Sequence, residues 1–305
     1  MAKAVHVVPG LDDPTCGIAV AAKQLMARGV GEDGEVWVHS MWTPLVVAAS
    51  FKALLSGRRL VRMPHGCTDP TKLGFHWSKK RWVAPVERWL FRHAEKIVAT
   101  CEEEAEWIRS FEPRARKVEI VRLSEPVAAA PQAAAAPQRE PGAPLRLLYV
   151  GRLHPLKGVE FLLRAMPSAG CSLVVIGKDE GEGERLKTVA SSRGLDVEFR
   201  GVVPEREKEA AYRRCDALVL PTLSENFGLV VAEALERGAR VVTTDGAPAW
   251  DPDPAARQAE GIAAGCGGRL LYLRGFRDGT PEARIRLLGD AIAQTARNYG
   301  IILDR

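Results

Sequence analysis

A chain of 305 residues is too long for one ordinary hydrophobic core and suits two α/β domains. Its apolar fraction of 46%, charged fraction of 27% and net charge of +5 are those of a soluble globular protein, and no apolar run approaches the ~18 residues of a membrane span. The six cysteines, at 16, 67, 101, 171, 215 and 266, are scattered without a C-x-x-C; this argues against zinc or disulfide frameworks and makes a reducing cytoplasm the expected compartment.

The chain begins with a strand over Ala4 to Val8, not with anything resembling a signal peptide. A polar turn follows from Pro9 to Cys16, then a helix from about Gly17 to Arg28. A second strand, Glu35 to His39, comes only a few residues later and runs into His39-Ser40-Met41-Trp42. The strand Leu60 to Met63 leads into Pro64-His65-Gly66-Cys67-Thr68-Asp69-Pro70. A histidine beside a glycine at a strand end can approach a ligand closely, because glycine lets the backbone come near. A core role for His39 and a structural role for a lone turn histidine are the plain alternatives.

Between residues 52 and 92 stand ten basic side chains against only Asp69 and Glu87, interleaved with Trp77, Trp82 and Trp89. Trp82, Val86 and Trp89 fall at helical spacing. Two readings are open: an anionic membrane surface met by cations and aromatics, or buried tryptophans with a solvated charged face. Nucleic acid is not expected, since no recognised binding fold accompanies the charge. The first domain closes with the strand Lys96 to Thr100, a helix from Glu102 to about Phe111 with an acidic first turn, and the strand Lys117 to Val121. Residues 126–144, rich in Pro and Ala, read as an exposed linker between domains at 1–125 and 145–305.

The second domain alternates. The strand Leu145 to Val150 ends in Gly151-Arg152-Leu153-His154-Pro155-Leu156-Lys157-Gly158. Next come a strand at Ser172 to Ile176, a helix near Glu182 to Arg193, a strand at Val197 to Phe199, the loop Gly201-Val202-Val203-Pro204 and a helix from Glu205 to Arg213. The strand Asp216 to Leu220 then enters Pro221 to Glu236, PTLSENFGLVVAEALE, a strand-to-helix turn of the kind where open α/β sheets place ligands. The amides of Asn226, Phe227 and Gly228 lie at or beside the helix N-terminus, which favours an anion. Glu225 and Glu233, eight residues apart, are roughly 80° out of register on one helix; with Glu225 on the turn, both can line one crevice. The plain alternative is Ser224 or Asn226 as an N-cap and Glu233 as a solvated residue. Strands at Arg240 to Thr244 and Arg269 to Leu273 and a helix from about Pro281 to Asn298 complete the chain.

These motifs together resemble the retaining glycosyltransferases of family 4: Glu225 to Glu233 as the E-x7-E signature, Gly151 to Gly158 as G-R-x4-K-G, and Pro64 to Pro70 as the P-H-G-x-x-D-P loop of lipopolysaccharide and exopolysaccharide glycosyltransferases. The resemblance implies a GT-B fold, two Rossmann-like domains facing across a cleft, with a shortened amino-terminal domain. It implies a nucleotide sugar as co-substrate, a UDP-hexose, with no other cofactor and no metal. Arg152 and Lys157 would neutralise its diphosphate together with the amides of Asn226, Phe227 and Gly228. Glu233 would bind the ribose, the loop at Val202 the base, and Glu225 and His65 the transferred sugar. Relatives carry paired glycines in the first turn. Only Gly17 stands here, so a phosphate role and simple close packing are both open for it. The expected partners are a glycan or lipid-linked glycan acceptor and an anionic membrane surface through 52–92, at the inner face of the cytoplasmic membrane. A nucleotide-sugar-binding subunit without activity and a GT-B epimerase are the alternatives.

Overall fold

The computed structural model describes residues 4–13, 16–75, 77–123, 143–256 and 258–303. The chain forms two compact units, Met1–Ser124 and Glu125–Arg305. Of the expected linker at 126–144, all but Ala143 and Pro144 lie outside the described residues.

The first unit runs β1 (Val5–Val7), α1 (Gly17–Ala27), β2 (Glu35–His39), α2 (Pro44–Leu55), β3 (Arg59–Met63), α3 (Pro70–Gly74), α4 (Trp77–His93), β4 (Lys96–Ala99), α5 (Glu102–Phe111) and β5 (Val118–Ile120). Its sheet is parallel in the order β1-β2-β3-β4-β5, so each new strand is added on the same side. This sheet therefore has no reversal of strand order, the feature that opens a crevice in doubly wound folds. The reason is legible in the chain: only seven residues separate α1 from β2, too few for another strand and helix to occupy the far flank of β1. Val36, Val38, Leu60 and Ile97 pack on one face of the sheet against Val46, Ala84, Phe91, Ala105 and Ile108 from α2, α4 and α5. Ala19 and Ala22 of α1 cluster instead with Val8.

The second unit runs β6 (Leu145–Val150), α6 (Val159–Ala165), β7 (Cys171–Ile176), α7 (Gly183–Ser192), β8 (Asp196–Gly201), α8 (Glu205–Arg214), β9 (Ala217–Leu220), α9 (Leu229–Glu236), β10 (Arg240–Thr244), β11 (Gly261–Gly265), β12 (Leu270–Arg274) and α10 (Pro281–Arg297). The sheet order is β11-β12-β10-β9-β6-β7-β8, parallel except for the antiparallel β11–β12 pair. The chain builds outward from β6 through β7 to β8, then returns to place β9 on the other flank of β6. The switch point is thus between β6 and β9. Burial on both faces explains the continuous apolar run Ala217-Leu-Val-Leu220, every residue of which is buried.

Among the described residues no helix is long and apolar enough to cross a membrane.

Candidate functional site

At the switch point of the second unit, the loops leaving β6 and β9 are held backbone to backbone. Gly158 has φ +65°, and a Cβ there would stand 2.0 Å from the carbonyl oxygen of Pro221. Leu223 N–H donates to the Leu156 carbonyl at 2.8 Å. The flanking loops join the same floor: a Cβ on Gly177, after β7, would meet Gly151 O at 1.8 Å, and one on Gly246, after β10, would meet Thr222 O at 2.1 Å. Only glycine permits these approaches.

On this floor the motif residues separate into two charged pairs. Lys157 is buried; its Nζ donates to Glu225 Oε2 at 2.5 Å and to the Ser224 carbonyl at 3.3 Å. Arg152 donates from Nη1 to both carboxylate oxygens of Glu180, at 2.8 and 2.9 Å, and its side chain is half exposed. Each of the two cations therefore has its own carboxylate inside the chain. Glu225 is itself fixed: its N–H donates to Gly246 O at 2.7 Å, and its Oε1 accepts from Asn226 N–H at 3.1 Å. The Asn226 amide, expected to face an anion, is thus turned toward the neighbouring carboxylate.

Phe227 is buried against Trp250, whose Nε1 donates to the Phe227 carbonyl at 2.5 Å. Gly228 caps α9 with φ +71°, the left-handed conformation that lets the turn enter the helix. Glu233 faces α8, accepting from the Tyr212 hydroxyl at 2.8 Å and lying 3.5 Å from Lys208 Nζ. Burial first and the Glu233 charge second push the Tyr212 hydroxyl far up, so it stays a donor. Val202 is exposed just beyond β8. Glu180, Lys208 and Tyr212 complete the site and were absent from the sequence reading, since only the tertiary register brings them to the motif residues.

In the first unit the site residues gather at the ends of β2 and β3, where the backbone is strained. Ser40, Trp42 and His65 have φ of +74°, +71° and +53°, a region where non-glycine residues cost roughly 1–3 kcal/mol and persist only when the surroundings hold them. The surroundings do so. Glu104 is buried and accepts from Gly66 N–H at 2.5 Å and from the Thr100 amide and hydroxyl at 2.7 Å each. Glu87 accepts from Trp42 N–H at 2.8 Å and pairs at 2.8 Å with Arg62, both side chains fully buried; Arg62 also donates to Ser50 Oγ at 2.9 Å and Ser40 O at 3.2 Å. His65 is buried, and that burial, with Lys72 nearby, lowers its pKa to about 3. His39 is buried too, yet its Nδ1 lies 2.8 Å from His65 Nε2, so the core reading alone does not describe it.

Two expectations need correction here. A Cβ on Gly17 would meet nothing within 4 Å, so close packing does not require glycine there. The tryptophans of α4 are not core: Trp82 is 74% exposed with Arg81 over its ring at 5.0 Å, while Ala84, Glu87, Leu90 and Phe91 form the buried face. Glu87 can take a core position because Arg62 neutralises it.

Residues 132–250 match the family model of glycosyl transferases group 1, and residues 35–124 match a glycosyl transferase 4-like domain. The chain thus carries a glycosyl transferase 4-like domain followed by a group 1 glycosyl transferase domain. All the motif residues of this chain except Gly17 fall inside the two matched stretches. It is 30% identical over 235 residues to the D-inositol 3-phosphate glycosyltransferase of Streptomyces scabiei, covering 67% of this chain and 47% of that protein. It is 32% identical over 173 residues to a glycogen synthase of Mycobacterium tuberculosis, covering 54% and 41%. The chain thus spans less than half the length of these curated relatives. Among solved structures it resembles WaaG, a glycosyltransferase involved in lipopolysaccharide biosynthesis, with a TM-score of 0.62, 17% identity and coverage of 97% and 94%. It also resembles Anabaena Alr3699/HepE in complex with UDP-glucose, with a TM-score of 0.57, 17% identity and coverage of 92% and 77%. These likenesses establish the GT-B fold.

Proposed function

We propose that this protein transfers a hexose from a UDP-linked donor to a glycan or glycolipid acceptor with retention of anomeric configuration, in the synthesis of cell-surface polysaccharide or lipopolysaccharide. The observation that carries the reading is the buried Lys157 with Ser224 and Glu225 at the switch point of the second sheet.

In this reading Lys157 and Arg152 stabilise the charge that builds on the departing diphosphate, with the turn at Asn226, Phe227 and Gly228 beside them. Both cations then exchange a carboxylate for a phosphate oxygen, so donor binding is a swap of partners rather than the burial of new charge. Glu225, released from Lys157, is the acceptor for hydroxyls of the transferred sugar. Glu233 binds the ribose, the backbone around Val202 the base, and Gly17 the phosphate side of the first unit. His65 binds the sugar from the first unit. The structural neighbour HepE was solved with UDP-glucose, which supports a UDP sugar as the donor class. Neighbours in lipopolysaccharide synthesis and the loop at Pro64 to Pro70 support a glycan acceptor. The exposed Trp77, Trp82 and Trp89 among the cations of α4 support a membrane-facing acceptor side, at the inner face of the cytoplasmic membrane.

A second reading, a subunit that binds a nucleotide sugar without transferring it, is favoured by the three-residue edge strand β1 and the open position of Gly17. A thermal-shift and turnover screen against UDP-, GDP- and ADP-sugars, with chelator present, separates the two. Stabilisation by UDP-sugars with nucleotide release is the expected result. Stabilisation without release in the presence of any glycan acceptor supports the subunit, and no response to any sugar nucleotide overturns both.

A further inference from the structure

Helices α8 and α9 of the second unit meet through a lattice of polar side chains that sets the posture of Glu233. On α8, Glu205, Lys208, Glu209 and Tyr212 recur at spacings of three and four, which puts them on one face. The buried Tyr212 hydroxyl donates to Glu233 Oε2 at 2.8 Å, and Lys208 Nζ lies 3.5 Å from the same oxygen while pairing with Glu205 at 3.0 Å. Arg237, which caps α9, closes the lattice from the other side. Its Nη1 donates to the Glu233 carbonyl at 2.8 Å, its guanidinium stands 5.4 Å over the Tyr212 ring, and its Nε pairs with Glu209.

The two carboxylate oxygens of Glu233 are therefore unequal. Oε2 takes a hydroxyl and a cation. Oε1 has no hydrogen-bond partner among the described residues, and it is not enclosed, since the side chain keeps 22% of its surface. The single hydrogen of the Tyr212 hydroxyl is spent on Oε2. Burial first and the Glu233 charge second hold it there, pushing the hydroxyl's pKa far up. With one oxygen held, the carboxylate loses its freedom to turn, and the charge of Lys208 offsets its own. What remains is a fixed acceptor suited to a neutral donor and not to a cation. Lys208 stands in the first turn of α8, which begins three residues after Val202, so this acceptor lies near the loop that follows β8.

We propose that Tyr212 and Lys208 are positioning residues that occupy Glu233 Oε2 and leave Oε1 to accept from one hydroxyl of the donor's ribose, so that the site reads one hydroxyl of the vicinal pair and not both. The ribose contact rests on the donor-binding reading above; the clamp on Oε2 does not. A carboxylate free to turn would meet both hydroxyls with its two oxygens and distinguish neither. The clamped one distinguishes them. Deletion of the hydroxyl on Oε1 removes a hydrogen bond to a charged group, and deletion of its neighbour removes none.

The test has two arms, both on the full-length protein. In the first, calorimetry compares UDP, 2′-deoxy-UDP and 3′-deoxy-UDP. One deletion is expected to weaken binding about 10–100-fold, the worth of a hydrogen bond to a charged group, and the other less than about twofold. Tyr212→Phe, which keeps the ring under Arg237, is expected to narrow that contrast to under about threefold and to raise KM for the sugar nucleotide more than it lowers kcat, as loss of uniform binding does. Equal effects of the two deletions in the wild-type protein, or an undiminished contrast in Tyr212→Phe, overturn the proposal. Should that variant fail to fold, Lys208→Met, at a partly exposed position, is read in the same way. In the second arm, crystal structures without ligand are expected to show Glu233 in one conformation in the wild-type protein and in more than one in Tyr212→Phe. An unmoved Glu233 in the variant overturns the clamp. If the second arm holds while the wild-type protein binds no nucleotide, the clamp stands and the donor reading falls.

Discussion

The two units hold their clustered polar groups by opposite means. In the second unit the site residues are charged, from the buried Lys157 to the half-exposed Arg152, and each cation rests on a carboxylate from another loop, as Lys157 does on Glu225 and Arg152 on Glu180. In the first unit the groups are neutral and buried, and the backbone is strained at Ser40, Trp42 and His65, clamped by the buried carboxylates Glu87 and Glu104. The sheets account for the contrast. A switch point opens a crevice without strain, whereas the unreversed order of the first sheet gives none, so the site there is made by forcing turns at the strand ends. The difference teaches that stability and activity should respond separately: disruption of the first site should cost folding, and disruption of the second should cost chemistry.

The largest effect expected on that comparison is from Arg62→Met. It leaves Glu87 buried without its partner and should destabilise the first unit by about 3–5 kcal/mol, read as a lower denaturant midpoint. Arg62→Met with Glu87→Leu should recover most of that loss, although the Trp42 amide then lacks its acceptor. A single mutant as stable as wild type would contradict the clamp. Lys157→Ala should do the reverse, lowering kcat about 10²–10³-fold, as removal of one preorganised donor does, with an unchanged melting temperature. Full activity in that variant would remove the second site from the chemistry.

Acid separates the units more gently. His65 has a folded pKa of about 3 against an ordinary value near 6.5, and His6 and His39 are also depressed by burial. Below about pH 6.5 the unfolded chain binds the extra protons, so the stability these rings hold at neutral pH is lost as pH falls from about 6.5 toward about 3. For His65 alone the slope is at most about 1.4 kcal/mol per pH unit. Glu104, whose pKa burial raises, opposes part of this. Hydrogen exchange, corrected for the intrinsic rate and compared at pH 7.5 and 5, should show the strands around His39 opening first. Earlier opening around β9 and β10 would reverse the comparison.

The same contrast governed what the sequence could reveal. Strands β2, β6 and β10 were readable at their ends because each is a short apolar run bounded by polar turns. Helix α2, nearly uniform in apolar character, and β11, reading GIAAG, carry no period and were not anticipated. In the second unit Lys157, Glu225 and Glu233 stand in a local motif, so they were legible; Glu180 and Tyr212 reach them only through tertiary register. In the first unit His65 was legible from its loop, but His6 and the Arg62–Glu87 pair were not. A buried ion pair looks, residue by residue, like two solvated charges. That is also why the helical spacing of Trp82, Val86 and Trp89 located the helix but left its buried face open: the buried stripe of α4 includes Glu87.

With the core reading gone, the surface reading of α4 becomes testable, and it is the smallest effect. Trp82 stands 74% exposed beside Arg81, and Trp77 and Phe75 are also exposed, among Lys79, Lys80 and Arg81. An indole at a membrane interface inserts its apolar body, while each nearby cation adds roughly 1 kcal/mol on an anionic surface. Trp82→Ala should therefore weaken sedimentation with anionic phospholipid vesicles several-fold, and Lys79→Gln with Arg81→Gln should weaken it further and flatten its salt dependence. Neither change touches Arg62 or Glu87, so stability and kcat on a soluble acceptor should not move. Equal binding of wild type and variants to anionic and neutral vesicles would mean that the cations of α4 are only a solvated face.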